Sequence, residues 1–151
     1  MKRHLAFVLA GLMLVHPSCV SGPGLEAMDE PQFARLVQNV ESVSTIGFVV
    51  LKPQLSLKAQ EVLVKLGVEV KAAIDGGSVP LPTSLNMIVD YFATQLADAG
   101  VSAQEVALIK ASMMLIDNAL GGVHLGVDGI GSERTEAIVL SIVKGLELGL
   151  K

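Results

Sequence analysis

Ser102-Ala103-Gln104-Glu105-Val106-Ala107-Leu108-Ile109-Lys110-Ala111-Ser112-Met113-Met114-Leu115-Ile116-Asp117-Asn118-Ala119-Leu120-Gly121-Gly122 is the stretch from which the fold class follows. Ser102 followed three residues later by Glu105 is a capping box, in which hydroxyl and carboxylate each accept a backbone N–H that the first helical turn leaves unpaired. Behind it Val106, Ile109, Met113, Ile116 and Leu120 recur at steps of three and four, the period of one buried helical face. Gly121-Gly122 then ends the helix. The segment is therefore an amphipathic helix with a start, a seam and a stop.

The same grammar holds on either side. Upstream, Ser56 caps a helix running to about Asp75, with Ala59, Leu63, Leu66, Val70 and Ala73 on its seam and Gly76-Gly77 at its end. Thr83 or Ser84, after Pro80-Leu81-Pro82, opens another with Leu85, Ile88, Phe92 and Leu96 inward, closed by Gly100. The first helix begins near Asp29-Glu30-Pro31, with acids at the positive helix end and proline in the first turn. Its apolar positions are read as Phe33, Leu36, Val40, Val43, Gly47 and Val50, up to a stop at Lys52-Pro53. The last follows Gly131-Ser132 with Val139, Ile142, Leu146 and Gly149 inward. No stretch shows strand alternation joined by hairpin turns. The expectation is an all-α protein, a compact bundle of about five helices packed antiparallel after an N-terminal signal segment.

Hydrophobic residues make up 51% of the 151-residue chain and charged residues 17%. Ordinary soluble domains are about 25% charged, so the composition favours a large core and argues against disorder. Charge is divided unevenly. Lys2 and Arg3 precede the first hydrophobic run, and the other nine basic residues share the rest of the chain with all fifteen acidic ones. An acidic surface with no basic stripe disfavours nucleic acid as a partner.

The N-terminus carries a separate message. Met1-Lys2-Arg3-His4 is a basic start, Leu5 to Val15 is an apolar run of eleven residues, and His16-Pro17-Ser18-Cys19-Val20-Ser21-Gly22 supplies small residues. This order is that of a secretory signal. A bilayer-spanning helix needs about 20 apolar residues, so the run is too short for a durable transmembrane anchor. Cys19, the single cysteine, lies just beyond the run and has no partner for an internal disulfide. A small residue, Ser18, directly before this cysteine and aliphatic Leu14 and Val15 upstream resemble the bacterial lipoprotein signal, although His16 and Pro17 depart from its usual motif. The resemblance covers residues 1–19. It implies a signal peptide over 1–18, acylation of Cys19 with chains such as palmitate, and anchoring in the periplasm or outer membrane. Ordinary signal-peptidase cleavage after Ser21 remains the alternative, with Cys19 and Ser21 as the required small residues. Residues 19–28 then form a tether and 29–151 the helical bundle domain.

Catalytic groups are scarce. Behind the signal the remaining histidine is His124, between Val123 and Leu125, with no second imidazole at helical spacing. Asp128-Gly129-Ile130-Gly131-Ser132-Glu133 offers oxygen ligands but not EF-hand spacing, and a turn with an N-cap accounts for it. Glu61 with Lys65 and Lys71 with Asp75 read as i,i+4 pairs on a solvated face, and Met113-Met114 as core filler. Gln60-Glu61-Val62 and Gln104-Glu105-Val106 each open a helix that ends in Gly-Gly, about 45 residues apart. Caps and turns recur in helical proteins without duplication, and two copies make no solenoid.

The chain is therefore expected to be no enzyme and to use no cofactor or metal. The expected activity is that of a membrane-anchored, non-catalytic interaction module in the cell envelope, bound to an envelope protein or to further copies of itself. The alternative is a membrane-active or lipid-binding helical protein, a pore former or carrier, suggested by runs such as Ile46-Gly47-Phe48-Val49-Val50-Leu51 that are apolar on more than one face.

Overall fold

The computed structural model describes residues 24–76, 85–120 and 133–151. Among these residues there are five α-helices: α1 (Glu30–Leu51), α2 (Leu57–Asp75), α3 (Leu85–Asp98), α4 (Ala103–Ala119) and α5 (Glu133–Leu150). Short 3-10 turns at Leu25–Ala27 and Lys52–Gln54 flank α1, and no strand occurs among the described residues. The protein is an all-α bundle.

Local chemistry sets the helix boundaries. Asp29 caps α1 by accepting the Gln32 N–H at 2.8 Å, and the Gln32 side chain returns the favour to the Asp29 N–H. Pro53, lacking an N–H, turns the chain out of α1 through the second 3-10 turn. Ser56 accepts the Ala59 N–H at the start of α2, and Ser102 with Glu105 forms the capping box at the start of α4. After α3 the chain reverses at Gly100, whose φ of +73° lies in the left-handed region that glycine enters without a Cβ penalty.

The principal helix contacts close a ring: α5 packs on α1 and α2, α1 on α4, α4 on α3, and α3 on α2. Most of the expected inward residues are inward. Ala59, Leu63 and Leu66 of α2, Ile88, Phe92 and Leu96 of α3, Ile109, Met113, Ile116 and Leu120 at α4, and Val139, Ile142, Leu146 and Gly149 of α5 are all buried. In α1 the phase differs from the expectation. Val40, Ser44, Phe48 and Leu51 are buried, whereas Val50 is 39% exposed and a Cβ built on Gly47 meets nothing. Two packing partners, α5 and α4, select this face from a run that was apolar all round. Ser44 is admitted because its hydroxyl donates to the Val40 carbonyl at 2.6 Å. The methionine pair also splits, with Met113 in the core and Met114 61% exposed, since adjacent positions on a helix point about 100° apart.

One contact departs from antiparallel packing. Gly145 of α5 lies against Glu41, Ser44 and Thr45 of α1, and Gly149 against Thr45, Phe48 and Val49. Position rises along both helices together, so α1 and α5 run parallel, as the first and fifth members of an alternating up-and-down bundle do. The two glycines allow the backbones to meet. A Cβ on Gly145 would stand 2.4 Å from the Ser44 Cβ and 2.8 Å from the Glu41 carbonyl oxygen. On its other side α5 receives Gly67 of α2, close to Val143 and Leu146. The result is a last helix buried along ten of its residues from Thr135 to Leu150.

Candidate functional site

Cys19 and His124 lie outside the described residues, as do Asp128 to Ser132; Glu133 is the first residue of α5. Among the described residues there is no histidine or cysteine, and no group of three or more acidic side chains is arranged to hold a metal ion.

At the end of the bundle where the chain enters α1, the structure builds a fastening that sequence reasoning did not single out. Gly24 leads into the Leu25–Ala27 turn, and Leu25 is only 2% exposed, inserted into the common core. Arg134, in the first turn of α5, donates from Nη1 to the carbonyls of Leu25 and Met28, both at 2.7 Å. Its Nη2 donates to the Glu30 carboxylate, and the guanidinium carbon stands 4.9 Å from the centroid of the Phe33 ring. A cation in the first turn of a helix opposes the helix dipole. Here two carbonyls, a carboxylate and an aromatic face offset that cost. The sequence signal was this misplacement itself: a basic residue at the wrong end of a helix needs partners from elsewhere.

Arg134→Leu keeps an aliphatic stem but removes every donor, leaving the Met28 carbonyl without its Arg134 partner and the Leu25 carbonyl with the Met28 N–H alone. The expected result is a loss of about 1–3 kcal/mol, with the exposed Glu30 contributing little of it. Amide exchange and protease cleavage around residues 25–29 should accelerate before global unfolding does. Unchanged protection there would remove the fastening role.

The opposite side of the molecule has its own polar knot. Glu105 accepts from the Ser102 hydroxyl at 2.6 Å and the Ser102 N–H at 3.3 Å within its capping box. Its other carboxylate oxygen accepts the N–H of Ser56, the cap residue of α2, at 2.7 Å. One side chain thus serves the N-termini of two helices that start side by side. Hydrogen bonds from the Ser102 hydroxyl and the Ser56 backbone hold its pKa well below the ordinary 4.5, at about 2. A pKa lower in the folded than in the unfolded protein means that the carboxylate's contribution is complete above about pH 4.5. It is lost as pH falls toward 2. Glu105→Gln should therefore flatten the fall in stability across that window, as measured by denaturant unfolding at stepped pH. An unaltered slope would show that other carboxylates control acid unfolding.

Several large apolar side chains remain exposed. On α1 they are Ile46, Val49 and Val50; on α2 Leu57, Val64 and Val68; on α3 Met87 and Tyr91; on α4 Met114; and on α5 Leu148. Beside the α2 group lies a shallow open depression of about 380 Å³, lined by Leu57, Gln60, Glu61, Val64 and Lys65. Among the described residues no helix is long and apolar enough to cross a membrane. The charges of α2 also differ from the expected pairing: Lys65 reaches Glu69, at 3.7 Å, one turn further along. Glu61 and Lys71 are exposed and take part in no salt bridge among the described residues. No protein family model matches the chain, and neither a curated protein nor a solved structure is recognisably similar to it.

Proposed function

We propose that the chain is an exported small lipoprotein, anchored to a membrane of the cell envelope through an acylated Cys19, whose helical bundle acts as a non-catalytic interaction module. The observation that carries this reading is the order of the first nineteen residues: Lys2-Arg3, the apolar run Leu5 to Val15, and Ser18 before the single cysteine. The fastening of Leu25 suits such an anchor. An extended chain reaches at most about 3.6 Å per residue, so an anchor at Cys19 would hold the bundle's Leu25 end within about 20 Å of the acylated residue. Thermal motion of the membrane anchor would then be transmitted to a strap fixed by Arg134 and not to a frayed helix end.

The test is the intact mass and N-terminus of the protein isolated from membranes, beside a Cys19→Ala variant. A diacylated or triacylated Cys19, with release of the variant from the membrane, is the expected result. An unmodified terminus at Gly22 would make this a freely secreted bundle, and a retained Met1 would make the hydrophobic segment itself the anchor and overturn the lipoprotein reading.

A second reading is a lipid-contacting protein, favoured by the outer face of α1. From Ser42 to Leu51 that helix carries no charge, and Ile46, Val49 and Val50 are exposed on it. Release of dye from liposomes at low concentrations of the Cys19→Ala chain would support this reading over the first.

A further inference from the structure

We infer that the exposed face of α2 is a self-docking surface, on which a second copy of this chain packs antiparallel along Glu61, Val64, Val68 and Lys71. Inward residues of α2 are spoken for: Ala59, Leu63, Leu66 and Gly67 are buried against the rest of the bundle. The opposite face carries Val64 and Val68 at 40% and 54% exposure, next to Glu61 and Lys71. These four positions follow one another at steps of three, four and three, which place them on one stripe of the helix.

That stripe is symmetric in position and antisymmetric in charge. Its midpoint is the level of Leu66, two residues from each valine and five from each charge. A two-fold axis through this level sets Val64 opposite Val68 of the second copy, and Glu61 opposite Lys71. Each rung occurs twice, as an isologous contact requires. Two apolar rungs at the centre and an ion pair at each end is the pattern by which antiparallel helices choose orientation and register. A parallel arrangement sets Glu61 against Glu61 and Lys71 against Lys71, and like charges oppose it. Neither charge is engaged in a salt bridge among the described residues, so docking breaks no ion pair seen there. The neighbouring cation Lys65 flanks the stripe and lies 3.7 Å from Glu69.

A contact of one helix against one helix is small beside the 1,200–2,000 Å² of stable complexes, so a weak and reversible dimer is expected, forming at ~0.1–1 mM chain. The inference concerns the folded bundle and does not depend on how Cys19 is processed.

The experiment is sedimentation of the chain, as the cell processes it, over a concentration series, with Lys71→Glu, Glu61→Lys and the double reversal Glu61→Lys/Lys71→Glu. Circular dichroism checks that each variant is folded, which is expected because both side chains are exposed. The single reversals should raise the dimer dissociation constant at least tenfold, and the double reversal should restore it to within about threefold of the parent. A parent that stays monomeric up to about 1 mM overturns the inference. So does a dimer indifferent to the single reversals, which would locate self-association on another face such as that of Ile46 and Val49. Single reversals that weaken the dimer without rescue in the double variant also overturn it, because the charges then act otherwise than by pairing with each other.

Discussion

Truncating Phe48 to alanine is expected to destabilise the bundle by about 3–5 kcal/mol, the largest loss of any single core truncation in α1. Phe48 is 1% exposed, and its Cβ is among the atoms against which Gly149 of α5 is seated. Removing the ring takes away its burial and leaves a void at the junction of α1 with α5. That junction is held by helix backbones in near contact, which limits how far it can collapse to fill the space. Val50→Ala provides the contrast. It shortens a side chain of the same apolar run that is 39% exposed, and should cost less than about 1 kcal/mol. The comparison decides the rotational phase of α1. Equal losses for the two variants in urea unfolding, or a larger loss at Val50, would place the wrong face of the helix inward.

Gly145→Ala should be the next most damaging substitution, with a net loss of about 2–3 kcal/mol. Two effects compete. In a helix interior alanine is better than glycine by about 1 kcal/mol, because glycine has more conformational freedom to lose. Against this, the new methyl group would stand 2.4 Å from the Ser44 Cβ, 2.8 Å from the Glu41 carbonyl oxygen and 2.9 Å from the Thr45 nitrogen. Two of these atoms are backbone and the third is fixed directly to it, so no rotamer change relieves the overlap and the helices must separate. The clash wins. Gly47→Ala isolates the other effect. It sits inside α1, four residues before its last residue, with nothing within 4 Å of an added Cβ, and should stabilise by up to about 1 kcal/mol. Opposite signs for the two glycines are the expected outcome of thermal and denaturant unfolding. The same sign at both would refute the close approach of α1 to α5.

The helix starts were legible because caps are short-range chemistry. Asp29, Ser56 and Ser102 each accept a hydrogen bond from the backbone three residues on, and nothing outside the turn is needed to recognise them. The seams of α2, α3, α4 and α5 were legible for a related reason: their apolar residues recur at steps of three and four, the period of one helical face. The seam of α1 was not, because residues 46–51 are apolar on more than one face and offer no polar face to mark the outside. Gly149 was read as inward and is buried, but glycine in a helix does not announce what will approach it, and Gly145 was not singled out.

The groups that join distant parts of the chain were harder to foresee. Arg134 meets Leu25 across 109 positions, and Glu105 meets Ser56 across 49. Glu105 could be assigned to its own capping box, but a box accounts for only part of its accepting capacity, and the second helix it serves is a consequence of α2 and α4 starting side by side. The pairing of Lys65 with Glu69 in place of Glu61 is of the same kind, a choice between two neighbours at equal spacing that the sequence leaves open.

By itself, then, the sequence determined that the chain is helical, where most helices begin, and which stripe of four of them turns inward. These follow from interactions within about one helical turn or from a period set by 3.6 residues. Only the tertiary structure decided that α1 and α5 run parallel in backbone contact, that Phe48 and not Val50 lies inside, and that Arg134 straps the Leu25 turn to the bundle. Each of these depends on which surfaces meet. When several faces are apolar enough to be buried, the one chosen is the one whose shape lets two backbones and their side chains close without leaving space.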